Sequence, residues 1–320
     1  MCLDRNQNWT WMIAVTQDRL MTPPDQAMTP LAGLYVPLIT PFTADGDLAG
    51  DALESLAHRV LDDGATGLVA LGTTAETATL TDAERARVLD ICDRVCQDRA
   101  VPLIAGAGTN DTARSAAALA RLARYRQVRA ALTVVPYYSR PGEAGVLQHF
   151  RALAQSSPVP LIIYNVPYRT AQAVSWRALR ELAHLPGIAG VKHAAGSIDQ
   201  DTVAMMAGRP PGFSVLGGDD LYVSPLLALG ADGAILASAH VRTGEFAELI
   251  GLWRDGLASA ARPLGHRLTE VARALFAEPN PAVIKAVLHR LGQIPSPVVR
   301  LPLVPASGAA TDAAACVAAS

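Results

Sequence analysis

Short, continuously apolar runs alternate with amphipathic helical stretches about eight times along this chain, at 34–39, 67–71, 102–105, 130–135, 161–164, 188–192, 213–216 and 233–237. Runs of this length without polar alternation suit strands buried on both faces, and parallel strands need a crossover between them that is usually a helix. The pattern predicts a parallel sheet covered by helices. Two doubly wound sheets would also satisfy it. The units follow one another with no linker and no break in composition, which favours closure into one α/β (β/α)8 TIM barrel. The 320 residues exceed the roughly 250 that such a barrel uses.

Two helices are legible from their stripes. Leu53, Leu56, Ala57, Val60 and Leu61 form one apolar face, and Val88, Ile91, Cys92, Val95 and Cys96 form another, preceded by Thr81 and Glu84 at capping-box spacing. After the eighth run only helical pattern remains, over 243–291, more than one barrel helix requires. The predicted organisation is a poorly ordered leader at 1–31, the barrel at 32–242, a C-terminal helical region at 243–305 and a disordered Ala/Ser-rich tail at 306–320.

Composition narrows the function classes. A formal charge of -2 speaks against nucleic acid and anionic membrane as partners. No apolar run reaches the roughly 18 residues of a membrane span, and the first residues lack a basic segment followed by an apolar one, so a cytoplasmic enzyme is expected. The cysteines (Cys2, Cys92, Cys96, Cys316) and the seven scattered histidines lack ligand spacing, and no metal or cofactor is predicted. Gly106-Ala107-Gly108 begins like a dinucleotide fingerprint, but Asp111 stands at the third glycine position.

Lysine usage points to chemistry. Of 27 basic residues only Lys192 and Lys285 are lysine. Lys192 ends the sixth strand, so its amine should emerge at the C-terminal mouth of the barrel, where active sites of this architecture are built. Desolvation there lowers an amine's pKa and frees a lone pair for attack on a carbonyl, which a guanidinium cannot supply. A strand cap or an ion pair is the plainer alternative. Lys285 sits among Val283, Ile284 and Val287 and reads as a snorkelling or ion-paired helix residue. Other strand ends converge on the same mouth: Thr73 and Thr74 after Gly72, Pro136-Tyr137-Tyr138, Tyr164 with Arg169 in the following loop, and Gly217-Gly218-Asp219-Asp220, whose glycines would let a ligand approach the backbone. By strand alternation His193 should face away from Lys192 and pack.

Five ordered motifs carry a family resemblance: Gly72-Thr73-Thr74-Ala75-Glu76, Pro136-Tyr137-Tyr138-Ser139-Arg140-Pro141, Tyr164-Asn165-Val166-Pro167 with Arg169-Thr170, Gly190-Val191-Lys192, and Gly218-Asp219-Asp220. Together with the late Glu278-Pro279-Asn280-Pro281, they resemble the dihydrodipicolinate synthase and N-acetylneuraminate lyase superfamily from about 33 to 305. The resemblance implies a class I aldolase in which pyruvate forms a Schiff base with Lys192, becomes an enamine and attacks a small aldehyde. It also implies roles: Tyr164 as acid/base, Thr73 as a relay to a Tyr138 reaching in from a neighbouring subunit, Thr73 and Thr74 on the pyruvate carboxylate, and the backbone near Gly218 and Ile235 lining the pocket. Arg169 resembles the residue that binds the carboxylate of aspartate-semialdehyde in 4-hydroxy-tetrahydrodipicolinate synthases. A homotetramer built as a dimer of dimers is implied in the same way.

The chain departs from the family pattern at two places. Ala75 replaces the glycine of Gly-Thr-Thr-Gly-Glu and would add a methyl beside the pocket, and Lys192-His193-Ala194-Ala195-Gly196 replaces Lys-Glu-Ala-Thr-Gly. Arg114 stands where lysine-inhibited members carry an acidic residue, which predicts weak or absent inhibition by lysine. Two alternatives stay open: an aldolase or dehydratase of 2-keto-3-deoxy sugar acids or another aldehyde, and a barrel that binds without catalysis.

Overall fold

In the computed structural model, which describes residues 30–319, the eight apolar runs become eight parallel strands: β1 (Gly33–Pro37), β2 (Gly67–Ala70), β3 (Leu103–Gly106), β4 (Val128–Val134), β5 (Leu161–Asn165), β6 (Ile188–His193), β7 (Ser214–Gly217) and β8 (Gly233–Ile235). They pair in chain order and β8 closes back on β1, forming a barrel. Parallel neighbours cannot be joined by a tight turn, and helices make the crossovers, the two predicted from their stripes among them. These are α1 (Gly50–Asp62), α2 (Asp82–Asp98), α3 (Thr112–Ala120), α4 (Gly142–Ser156), the single turn α5 (Pro167–Thr170), α6 (Trp176–Ala183), α7 (Gln200–Gly208) and α8 (Val223–Ala228).

Both stripes face the sheet. Leu53, Leu56, Ala57 and Val60 of α1 are buried, as are Val88, Ile91, Cys92, Val95 and Cys96 of α2, where burial pushes both thiols up. Thr81 and Glu84 form the capping box: the Glu84 amide donates to Thr81 Oγ1 at 3.2 Å, and the Thr81 amide donates to Glu84 Oε2 at 2.8 Å.

Strand alternation sorts the apolar side chains into two cores. Tyr35, Val69, Ile104, Leu132, Ile162, Tyr164, Leu216 and Ile235 fill the barrel, while Leu68, Ala105, Leu161, Ile163 and Val191 pack outward against the helices. Lys192 is in register with Tyr164 on one side and Leu216 on the other, so it belongs to the inner layer. Its neighbour His193 packs outward against α7, as alternation predicts, with Nε2 3.0 Å from the Thr202 hydroxyl. Thr202 donates to Asp199 Oδ1, so its oxygen is the acceptor for an Nε2–H of His193.

The C-terminal region is helical. It comprises α9 (Ala239–Arg254), whose backbone leaves helical values at Arg242, then α10 (Ala258–Leu275), α11 (Ala282–Arg290) and α12 (Gly308–Ala319). The last corrects the expectation of a disordered tail, since Gly308–Ala319 is helical. Alanine has the highest intrinsic helix propensity, and α12 buries Ala314 while Ser307 caps it by accepting the Ala310 amide at 3.2 Å. The predicted leader at 1–31, with Cys2, lies outside the described residues except for Pro30 and Leu31, and the Leu31 amide donates to Ser214 Oγ.

Among the described residues, no helix is long and apolar enough to cross a membrane, and no three metal-ligating side chains cluster.

Candidate active site

The residues singled out from sequence come together at the C-terminal ends of the strands. Lys192 retains 6 % of its surface, and its Nζ lies over the Tyr164 ring, 4.4 Å from the centroid. Gly218, next to β7, leaves room for the lysine stem. A Cβ at Gly218 would sit 2.6 Å from Lys192 Cγ and 2.7 Å from Cε, so any side chain would displace the stem. Ile235 of β8 is buried in the same inner layer.

Burial holds the Lys192 amine below the ordinary lysine range; the Arg169 guanidinium adds to this, and the Asp220 and Asp219 carboxylates oppose it. Among the described residues no carboxylate forms an ion pair with Lys192. Asp220 is itself buried, its carboxyl pushed up by desolvation, with Oδ1 accepting the Ser238 amide at 2.7 Å. The amine therefore sits in a dry setting with a carboxylate in electrostatic reach but not in contact. Such an arrangement favours the neutral, nucleophilic form more than a salt bridge would.

Burial raises the Tyr164 phenol, while Arg169 and a hydrogen bond from the Thr73 hydroxyl pull it the other way. Its proton thus remains available near neutral pH. Tyr164, Thr73 and Arg169 line a groove of about 750 Å³ together with Gly72, Tyr137 and Asn280. Arg169, on the turn α5, is exposed at its surface, 5.2 Å above the Tyr168 ring. A guanidinium in that position can hold a carboxylate in a forked pair. Thr74 is buried beside Thr73, at the start of a 3-10 turn that presents hydroxyls and backbone N–H groups.

Tyr138 lies outside its own chain's groove, 89 % exposed, with φ at +66°. Ala75, the methyl expected beside the pocket, is buried and, like Thr74 and Lys192, is not among the groove's lining residues, while its carbonyl accepts the Thr40 hydroxyl at 2.7 Å. Arg114, on the first turn of α3, is exposed.

Sequence reasoning left three residues of this region without a role. Asp220 was visible only as part of a motif. Asn280 donates from Nδ2 to Thr74 Oγ1 at 3.1 Å across 206 residues, and no local pattern could reveal that pairing. Glu76 is buried and paired with Lys285, which is fully buried and so is the ion-paired helix residue of the two readings, not the snorkelling one.

Residues 30–318 match the Dihydrodipicolinate synthetase family. The chain is 36 % identical over 277 residues to 4-hydroxy-tetrahydrodipicolinate synthase 2 of Clostridium acetobutylicum, covering 87 % of this chain and 96 % of the relative. It superposes with a TM-score of 0.86 and 32 % identity on the chloride-inhibited dihydrodipicolinate synthase from Acinetobacter baumannii in complex with pyruvate, covering 90 % of this chain and 99 % of that one. A similar likeness, TM-score 0.85 at 30 % identity, covering 89 % of this chain and 95 % of the other, holds for a dihydrodipicolinate synthase variant described as the first monomeric one.

Proposed function

The chain belongs to the dihydrodipicolinate synthetase family, and from this membership and the geometry of the barrel mouth we propose that it condenses pyruvate with aspartate-semialdehyde to 4-hydroxy-tetrahydrodipicolinate, in lysine and diaminopimelate biosynthesis, through a Schiff base on Lys192. The observation that carries the residue assignment is the Lys192 amine itself, desolvated, with no ion-pair partner among the described residues, and set against the Tyr164 ring.

The Lys192 lone pair adds to the keto carbon of pyruvate, and loss of water leaves an imine. The protonated imine draws electrons from the adjacent methyl group, which releases a proton to give an enamine. The enamine carbon forms a bond to the aldehyde carbon, whose oxygen takes up a proton. Tyr164 is suited to carry these protons, being a neutral phenol with Thr73 on its oxygen. Thr73 and Thr74 hold the pyruvate carboxylate, and Arg169 receives that of the aldehyde, which selects an acidic electrophile over a neutral hydroxylated one. Because the semialdehyde carries its own amine, that nitrogen can then displace Lys192 from the imine carbon and close the ring.

Tyr138 supports an assembled enzyme: solvent-exposed in its own chain, its phenol would serve Thr73 of a neighbouring copy, as in a homotetramer arranged as a dimer of dimers. A cytoplasmic setting suits this chemistry.

Borohydride reduction in the presence of pyruvate is expected to add one reduced pyruvyl group, mapping to Lys192. Steady-state assays should then show turnover with aspartate-semialdehyde and little with hydroxylated aldehydes. Absence of an adduct would refute the Schiff base, and turnover confined to sugar-derived aldehydes would replace the electrophile.

A further inference from the structure

The C-terminal helical region is tied to the turn after β2 by polar contacts that barrel closure does not require. Lys285 of α11 extends its ammonium to Glu76 Oε1 at 2.5 Å and to the Val298 carbonyl at 2.9 Å, and Glu76 Oε2 accepts the Arg300 amide at 2.9 Å. Glu76 has left-handed backbone angles (φ 55°, ψ 37°), strained for a residue with a side chain, and lies between the 3-10 turns Thr73–Ala75 and Thr77–Thr79. The clamp from 285 and 300 thus holds a strained residue two positions beyond Thr74.

Asn280 makes the second tie, at the groove itself. It lines the groove, retains 9 % of its surface and donates to Thr74 Oγ1, while its Oδ1 is buried without a partner among the described residues. A threonine hydroxyl has one proton and two lone pairs. Accepting from Asn280 uses a lone pair and leaves the proton for a further acceptor.

We propose that Asn280 is a positioning residue for the condensation: by donating to Thr74 it commits the Thr74 hydroxyl proton to the carboxylate of the keto acid, on a turn that Lys285, Glu76 and Arg300 hold in place. This rests on the reading above that Thr73 and Thr74 receive that carboxylate. The C-terminal helices then act in substrate binding through hydrogen-bond direction, without touching the reacting atoms.

Asn280→Asp tests this, because it keeps the shape, removes the donor and offers Thr74 an acceptor that draws its proton away from the substrate. Half-saturating pyruvate is expected to rise at least about tenfold, both in turnover and in borohydride trapping at Lys192. KM for the aldehyde should stay near wild type, and in Asn280→Ala, which buries no new charge, so should the thermal midpoint. Asn280→Ala, which removes the donor without adding a charge, should give a smaller rise, about threefold to tenfold. Pyruvate half-saturation within twofold of wild type in both folded variants would overturn the inference, as would a loss of kcat with an equal rise in both KM values and a lower thermal midpoint. Failure of the wild-type protein to form an adduct would overturn the functional reading instead, so the two failures are distinguishable.

Discussion

The two lysines of this chain occupy opposite solutions to the same problem. Both amines are buried and both are pushed down by desolvation, each to about 8. Lys285 is surrounded by compensation: a carboxylate at 2.5 Å, a carbonyl at 2.9 Å and the Phe42 ring, whose centroid is 4.0 Å away. Among the described residues Lys192 has the face of Tyr164, with Asp220 acting from outside ion-pairing distance. A buried charge is tolerable when paired and hydrogen-bonded, and an uncompensated one is relieved by losing its proton. The first arrangement therefore builds structure, and the second leaves an amine free to act as a nucleophile.

The comparison breaks most visibly if the wrong lysine reacts. Lys192→Met keeps the stem against Gly218 but removes the amine; it is expected to abolish trapping with pyruvate and to lower kcat/KM by at least about 10³-fold. The thermal midpoint should be unchanged or higher, because an uncompensated buried amine is gone. A midpoint several degrees lower would mean that Lys192 is structural after all.

Lys285→Met is the mirror experiment. It leaves the Glu76 carboxylate buried without its ammonium, which is expected to cost about 3–5 kcal/mol of stability in denaturant or thermal unfolding. The remaining folded protein should still trap pyruvate at Lys192. An adduct that maps to Lys285 in the wild type, or a variant as stable as wild type, would dissolve the contrast.

The finest test concerns how the surroundings set the Lys192 amine. Since only the neutral amine attacks, kcat/KM should rise with pH through its ionisation, in a range below that of a solvent-exposed lysine. Asp220 favours the ammonium, so Asp220→Asn should move the ascending limb to lower pH; Arg169 disfavours it, so Arg169→Ala should move the limb to higher pH and raise KM for the aldehyde. Shifts of about one pH unit in opposite directions are expected. Shifts of the same sign would show that another group titrates in that limb.

Much of the barrel was readable because its signal is local. Each apolar run carries its own strand, the α1 and α2 stripes carry their buried faces, and Thr81 with Glu84 marks a helix start within four residues. Lys192 was readable for the same reason: position at a strand end and alternation with His193 decide which way it points. Asn280 was not, because its partner Thr74 lies 206 residues earlier, nor was the burial of Lys285, whose partner Glu76 lies 209 residues away. The helix Gly308–Ala319 was missed for a related reason: a run of alanines has helix propensity, but the surface that receives Ala314 belongs to residues distant in the chain.

From the sequence alone come the eightfold alternation, the inward direction of one lysine and the motif order that joins the chain to its family, all consequences of backbone periods of two and 3.6 residues. Tertiary structure alone decided which buried amine would find a carboxylate, which glycine would make room for the other amine's stem, and which asparagine would turn a hydroxyl. Desolvation and pairing depend on everything within a few ångströms, and in a closed barrel those neighbours are supplied by strands and helices from the whole length of the chain.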